Sequence, residues 1–163
     1  MAQIAPIVID TMNATLEQIL DIVLREHHPH PPATEREIAD FEARAGWRLG
    51  PELRALYSRC NGVELFVPLP DARYSILSLA ELQRARVRIL GIDDDTMGSA
   101  SWWTLVDCQD SDFVLVDTAG PAPYPMLDAY HGTYPQVRKI ASSLREFLAR
   151  SLESKNRLFW LNE

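Results

Sequence analysis

Residues 34–66, TEREIADFEARAGWRLGPELRALYSRCNGVELF, predict two short helices separated by a Leu-Gly-Pro break. Thr34 and Glu37 have the spacing of a capping box, in which two side chains satisfy free backbone amides at a helix start. Gly46 is the expected end of the first helix, and Pro51 fits the first turn of the second. Apolar residues recur on one face of each helix: Ile38, Phe41 and Ala45, then Leu53, Leu56, Tyr57 and Cys60. Gly62 is predicted to stop the second helix in a left-handed conformation.

A further amphipathic helix precedes this stretch. Its apolar stripe comprises Leu16, Ile19, Leu20, Val23 and Leu24. Asn13 or Thr11 is the expected N-cap. The helix is predicted to end before the sequence HPHPP at 28–32, because successive prolines favour an extended linker.

Strands dominate the second half of the sequence. A strand is predicted at 74–77, followed by a helix from the capping box Ser78–Glu81 to about Ile89 and an acidic loop at 91–98. Next come a hairpin, with strands at 102–107 and 112–117 around a four-residue connection, and a further strand at 125–130. The apolar residues Ile140, Leu144, Phe147 and Leu148 predict a last helix. The predicted helices come mainly in the first half of the chain and the strands follow one another later, an order that favours an α+β fold with a mostly antiparallel sheet.

Composition limits the function classes. A chain of 163 residues with 47% hydrophobic residues suits one soluble domain. The formal net charge of −7 argues against direct binding of nucleic acid or an anionic membrane and is compatible with a basic protein partner. Cys60 and Cys108 have no metal-type spacing, and no apolar run is long enough to span a bilayer. We therefore expect a cytoplasmic protein.

Three segments carry a family resemblance: Thr34-x-x-Glu37-Ile38-x-x-Phe41-Glu42, Trp47-x-Leu49-Gly50-Pro51-x-Leu53 and Leu56-Tyr57-x-x-Cys60-Asn61-Gly62. In this order they resemble the opening signature of the SUKH superfamily, which includes Smi/Knr-type fungal cell-wall regulators and many bacterial immunity proteins. Residues 75–82, 102–117 and 140–148 resemble the following strand and helix, the central hairpin and the closing helix of that superfamily.

The resemblance implies a single α+β domain with helices packed on a mixed, mostly antiparallel sheet, here with an extra N-terminal helix. We expect an N-terminal helix and Pro/His-rich linker at 1–33, the SUKH-like domain at 34–152 and an apolar C-terminal tail at 153–163. The resemblance also implies a non-enzymatic immunity protein that binds a cognate toxin, with no catalytic residues and no cofactor. The alternatives are a regulatory scaffold for an endogenous protein, or an enzyme, which would require a bound metal or a concave catalytic site.

The candidate partner-binding residues are acidic and aromatic. They are Asp93, Asp94, Asp95, Trp102, Trp103, Asp107, Asp110 and Asp112. The aspartates form either a solvated loop and hairpin or an acidic patch for a basic partner, such as a nuclease toxin. Adjacent tryptophans on a strand point to opposite faces, so one is expected in the core and the other at the surface, where it could anchor a partner.

Other chemistry-bearing residues have simpler interpretations. His27, His28 and His30 are expected to be solvated linker residues, because no matched fourth ligand for a metal is evident. His131 could pair with Cys60 or Cys108 as base and nucleophile, but no flanking motif supports that pairing. The apolar sequence Phe159-Trp160-Leu161 is expected to dock on its own domain, with a contact surface as the alternative.

Overall fold

A computed structural model describes residues 10–67, 74–155 and 157–162. Its sheet has seven strands whose order in space equals their order in the chain, and every described pair is antiparallel. The strands are β1 (His28–Pro29), β2 (Val63–Leu65), β3 (Tyr74–Ile76), β4 (Trp102–Asp107), β5 (Phe113–Asp117), β6 (Met126–Ala129) and β7 (Arg138–Ala141). The predicted α+β fold and mostly antiparallel sheet are confirmed.

In the described part of the chain, five α-helices accompany the sheet: α1 (Leu16–Glu26), α2 (Glu35–Ala45), α3 (Gly50–Arg59), α4 (Ala85–Leu90) and α5 (Leu144–Ser154). α1, α2, α3 and α5 cover one face and form the main hydrophobic core with it. α4 lies on the other face, where a smaller cluster forms around Phe113, Leu115 and Leu127. Successive residues of β5 alternate between the two clusters, as the two-residue period of a strand requires.

The helix pair at 34–66 forms as predicted. Both halves of the Thr34–Glu37 capping box are present, and Gly46 ends α2 at φ +80°. Pro51 lies in the first turn of α3. Gly62 is not the cap of α3, which ends at Cys60 in an extended conformation; instead Gly62 turns the chain into β2 at φ +95°.

Three predicted helix limits are wrong. The cap of α1 is Thr15, in a capping box with Gln18, rather than Asn13 or Thr11. The capping box at Ser78 opens only one 3₁₀ turn, Leu79–Glu81, and the chain then extends so that Arg84 bridges to Trp103 before α4 begins. Ile140 belongs to β7, a strand that the sequence analysis missed, because its apolar side chain also fits the stripe of α5.

Outside the predicted SUKH-like region, two of the described segments, α1 and the C-terminal turn at 159–160, pack on the main core. α1 lies against α3 and α5, and the guanidinium of Arg145 donates to the carbonyl oxygens of Met12 and Ala14 at 3.3 and 2.9 Å. Phe159 and Trp160 dock on the domain as expected, and Trp160 is 1% exposed. Leu161 does not dock and is 65% exposed.

A candidate protein-binding end of the sheet

The antiparallel order of the strands brings two connections to the same end of the sheet. β4 ends at Asp107 and β5 begins at Phe113, whose register partner is Ala129 at the end of β6. The β4–β5 connection, with Asp107, Asp110 and Asp112, is therefore a neighbour of the connection that follows β6. We call this region the acidic end; it comprises Asp107, Asp110, Asp112, Asp128, Tyr130 and His131.

A double contact joins the two connections. Oδ1 of Asp112 accepts the backbone N–H of His131 at 3.0 Å and lies 2.7 Å from Nδ1 of the same residue. The backbone N–H of Cys108 donates to the carbonyl oxygen of Asp112 at 2.9 Å and closes the hairpin connection. His131 is thus held by Asp112 and not by either cysteine, so the cysteine–histidine pairing considered above is wrong.

Several carboxylates converge on the half-buried thiol of Cys108. Burial raises the pKa of Cys108 most, and the negative charges of Asp128, Asp107 and Asp112 raise it further. Burial also raises the pKa of Asp128; Arg138 opposes this shift, whereas Asp112 adds to it. The strand register separates two of these carboxylates: Asp128, opposite Val114, is on the main-core face of the sheet, and Asp107, opposite Phe113, is on the α4 face. Asp128 is absent from the sequence-based set because nothing in its local pattern distinguishes it.

The hairpin connection has an unusual backbone. Gln109, Asp110 and Ser111 have φ values of +68°, +52° and +69°, in the left-handed region that non-glycine residues rarely adopt. Asp107 supports the turn, since its Oδ1 accepts the N–H of Gln109 at 2.8 Å. Arg88 of α4 stacks over the Phe113 ring beside this connection, 5.5 Å from the ring centroid. Asp110 is exposed at the tip.

The predicted loop at Asp93–Asp95 contacts a different part of α4. Asp93 accepts from Arg84 at 2.9 Å and from Arg86 at 2.6 Å, and Asp95 accepts from Arg86 at 2.7 Å. Arg86, whose side chain is 6% exposed, holds the pKa of Asp93 below its usual range. Asp94 accepts the N–H of Thr96 and caps a 3₁₀ turn. These carboxylates fold the loop onto α4, so the loop carries less uncompensated charge than its sequence suggests.

The two tryptophans face opposite sides of the sheet. Trp103 is 6% exposed and packs edge-on against Phe41 and Trp47 in the main core. Trp102 lies on the α4 side, partly exposed, with its ring 6.3 Å from that of Tyr134. Of these two tryptophans, only Trp102 therefore exposes surface that a partner could contact.

A better-exposed aromatic residue was not among those predicted from the sequence. Tyr130 follows β6 at the acidic end and is 48% exposed. It lines an open groove of about 480 Å³ that also includes Asp128 and Leu161. The pairing of consecutive strands could have placed Tyr130 beside Asp112, but its exposure depends on the tertiary structure.

A second, apolar cavity of about 230 Å³ lies between the first turns of α3 and α5. Its one charged lining residue is Glu52, whose Oε2 accepts the backbone N–H groups of Leu144 and Arg145 at 3.0 and 3.4 Å. These are the first two amides of α5, which have no partner within the helix. We therefore assign Glu52 to the capping of α5.

The residues considered for metal binding or catalysis do not assemble into a site. Over the described ranges, no group of three or more His, Cys, Asp or Glu side chains is placed to hold a metal ion. His28 and His30 are exposed as predicted, but His27 is not a solvated linker residue, since its Nδ1 accepts the N–H of Phe66 at 3.1 Å. Burial raises the pKa of Cys60 to about 11, the opposite of the shift that activates a thiol nucleophile.

Comparison with protein families agrees with this architecture. The model of the SMI1/KNR4 family (SUKH-1) matches residues 32–150. The chain belongs to the SUKH-1 family. Members of this family are generally non-enzymatic immunity or regulatory domains, which supports a role in binding another protein. A search of curated proteins found no match to this SUKH-1 chain. No helix within the described SUKH-1 structure is long and apolar enough to cross a membrane.

Proposed function

We propose that this protein is an immunity protein that acts in the cytoplasm by binding and neutralising a cognate toxin. The observation that carries the proposal is the acidic end, where the β4–β5 hairpin with Asp107, Asp110 and Asp112 meets the connection after β6 in a SUKH-1 chain. The binding surface is proposed to lie within the 34–152 domain and to include Asp107, Asp110 and Asp112. Asp93–Asp95 and Trp102 are proposed as additional contacts, with Trp102 at the opposite end of β4 from Asp107. Trp103 is buried in the main core and is no longer part of the proposed surface.

The charge of this surface favours a basic partner. Asp110 is exposed at the hairpin tip, where it can approach a positive surface, and complementary charge increases the association rate more than the intrinsic affinity. A nuclease toxin fits this requirement because its active site is built to accept phosphates. The overall charge of −7 acts in the same direction.

The test is co-expression with the toxin encoded by the neighbouring reading frame. We expect the wild-type chain to restore growth and to form a complex with the toxin in isothermal titration calorimetry. The variant Asp107→Asn/Asp110→Asn is expected to slow association by about tenfold at low salt. The control is Glu35→Gln/Asp40→Asn, which removes the same charge from exposed positions of α2. Absence of protection and of a complex would refute the immunity role.

The family assignment supports a second candidate, a regulatory scaffold of the SMI1/KNR4 type that binds an endogenous protein. In that case a housekeeping protein would bind with the same dependence on Asp107 and Asp110, and deletion of the neighbouring reading frame would leave the phenotype unchanged. The two roles therefore differ in the partner and agree in the surface.

A further inference from the structure

The apolar cavity between the first turns of α3 and α5 lies at the opposite end of the sheet from the acidic end. Its lining includes Val116 of β5 and Met126 of β6, which are register partners. Val116 also pairs with Trp103, near the start of β4, whereas Phe113 pairs with Asp107 at the end of that strand. The cavity is therefore a second candidate contact surface, separate from the hairpin that follows Asp107.

Two contacts fix one side of the cavity in place. This side consists of Ala122, Pro123 and Tyr124, in the connection between β5 and β6. The hydroxyl of Tyr124 donates to the carbonyl oxygen of Arg48 at 2.6 Å, just before α3. A Cβ added to Gly50 would lie 2.7 Å from Cβ of Ala122, so the connection packs directly on the backbone at the start of α3. The cavity is therefore formed before a ligand arrives, and binding requires little rearrangement.

The size and lining of the cavity suit one bicyclic aromatic side chain. Its volume is about 230 Å³, below the roughly 300–1,000 Å³ of most sites for drug-sized ligands. An apolar cavity of about 150 Å³ holds benzene, so this larger cavity has room for a second, fused ring. Leucine, proline, valine and methionine side chains supply most of the lining, and the ring of Tyr124 lies beside them. An indole ring therefore fits the cavity in both volume and polarity.

Glu52 is the one charged side chain of the lining. Its Oε2 accepts two amides of α5, but its Oε1 has no hydrogen-bond or ion-pair partner in the described part of the chain. A free acceptor in an apolar wall favours a ligand that donates one hydrogen bond. The negative charge itself is offset, because Glu52 lies in the first turn of α3 and caps α5, and each helix start carries about half a positive charge. The cavity therefore favours an uncharged donor over an ammonium group.

We propose that this cavity is an anchor site for a tryptophan side chain of a partner protein, whose indole ring packs among the apolar walls and whose N–H donates to Oε1 of Glu52. This inference rests on the protein-binding role proposed above and adds a second contact surface to it. Tryptophan is a frequent interface anchor, because it buries a large apolar area and carries a single polar group that needs one acceptor. The cavity offers that area and that acceptor together.

The test uses the full-length protein and two ligands that differ in one hydrogen-bond donor. The first is 3-methylindole, which reproduces the tryptophan side chain, and the second is its N-methyl derivative, which lacks the N–H. Methyl NMR titrations that follow Leu53, Val116 and Leu144 should give a dissociation constant of about 1 mM or below for 3-methylindole. The N-methyl derivative should bind roughly tenfold more weakly. Tryptamine, which adds an ammonium group, should bind no more tightly than 3-methylindole.

Glu52→Gln separates recognition of the donor from packing of the ring. The glutamine carbonyl can still accept the α5 amides, but the other terminal atom is now a donor. We therefore expect 3-methylindole to lose its advantage, while the N-methyl derivative binds as before. Glu35→Gln makes the same replacement at an exposed position of α2 and should leave both affinities unchanged. Equal affinities of the two indoles for wild type, an advantage that survives Glu52→Gln, or shifts confined to methyl groups outside the cavity would each overturn the proposal.

Further measurements distinguish the occupants of the cavity. A peptide with one central tryptophan should compete with 3-methylindole, and the same peptide with alanine in that position should not. A tryptophan peptide that does not compete would overturn the assignment to a partner protein. NOEs between residues 1–9 and Val116 or Leu144 in the free protein would show that the chain fills its own cavity, and a dimer that 3-methylindole dissociates would show that a second copy fills it. Either result would also overturn the proposal.

The ligand and toxin experiments fail separately. Tryptophan peptides that bind in the cavity, together with no protection from the neighbouring toxin, would retain the cavity and reject the immunity role. Protection by the wild-type chain, together with indoles that do not bind, would retain the immunity role and reject the cavity.

Discussion

Truncation of Trp160 to alanine should strongly destabilise the protein, although this residue lies beyond the region matched by the family model. The indole is 1% exposed and packs against Tyr74 of β3 and Phe147 of α5, with ring centroids 6.2 and 5.7 Å away. A buried tryptophan removes about 150–250 Å² from water, which at about 25 cal/mol per Å² corresponds to about 4–6 kcal/mol. Partial relaxation of the cavity brings the expected loss to about 3–5 kcal/mol.

Urea denaturation followed by circular dichroism measures this loss. With an m value of about 2 kcal/mol per M, the midpoint should fall by about 2 M. The melting temperature should fall by about 10 °C. The control is the adjacent Leu161→Ala, whose side chain is 65% exposed and whose loss should cost less than about 0.5 kcal/mol. A destabilisation by Trp160→Ala of under about 1 kcal/mol, close to the control, would show that the C-terminal turn does not complete the core.

Three further changes test other parts of the structure. Gly62→Ala should lower the free energy of unfolding by about 2 kcal/mol or more, because Gly62 has φ +95° and a new Cβ would lie 2.8 Å from the Ile76 carbonyl oxygen. A melting temperature equal to that of wild type would contradict this. Tyr57→Phe leaves a buried carbonyl without its 2.7 Å hydrogen bond and should cost about 1–2 kcal/mol in urea, a loss that an unchanged midpoint would exclude. Burial lowers the pKa of His27, whose neutral ring accepts the backbone N–H of Phe66. As the pH falls, the unfolded chain therefore binds a proton at this histidine before the folded protein does. The free energy of unfolding should then decrease as the pH drops below about 6.5. His27→Gln should lack this part of the pH dependence, and parallel stability curves for the two proteins would refute the assignment.

The elements that the sequence predicted well are those with complete local signals. The capping box at Thr34 and Glu37, followed by an apolar stripe and Gly46, specifies α2 without help from the rest of the chain. The β4–β5 hairpin was predicted because β-branched and aromatic residues flank a polar connection. These signals involve residues within a few positions of each other, and tertiary packing agrees with them.

The errors arose where one local signal allowed two structures. The capping box at Ser78 serves a single 3₁₀ turn because Arg84 and Gln83 pair with β4 and interrupt the helix. Ile140 fits the period of α5, yet it is a buried residue of β7, followed in the strand by the buried Ala141. In both cases hydrogen bonds to a strand distant in the sequence decided the outcome.

The candidate surface was predicted in part. The sequence identified the aspartates of the hairpin, because runs of carboxylates are visible without a structure. It did not distinguish Asp93, which Arg84 and Arg86 neutralise, from Asp110, which is exposed at the hairpin tip. It also gave weight to Trp102 and Trp103 and none to Tyr130, since the exposure of an aromatic side chain is not a property of its neighbours in the chain.

By itself, the sequence determined the starts of α2 and α3, the hairpin, the family and the acidic character of the protein, because these depend on residue type and short spacing. The tertiary structure alone decided which carboxylates keep their charge at the surface and which aromatic side chain faces solvent. Both properties depend on burial and on partners distant in the chain, and the order of the strands supplies those partners by placing Asp112, Asp128 and Tyr130 at one end of the sheet.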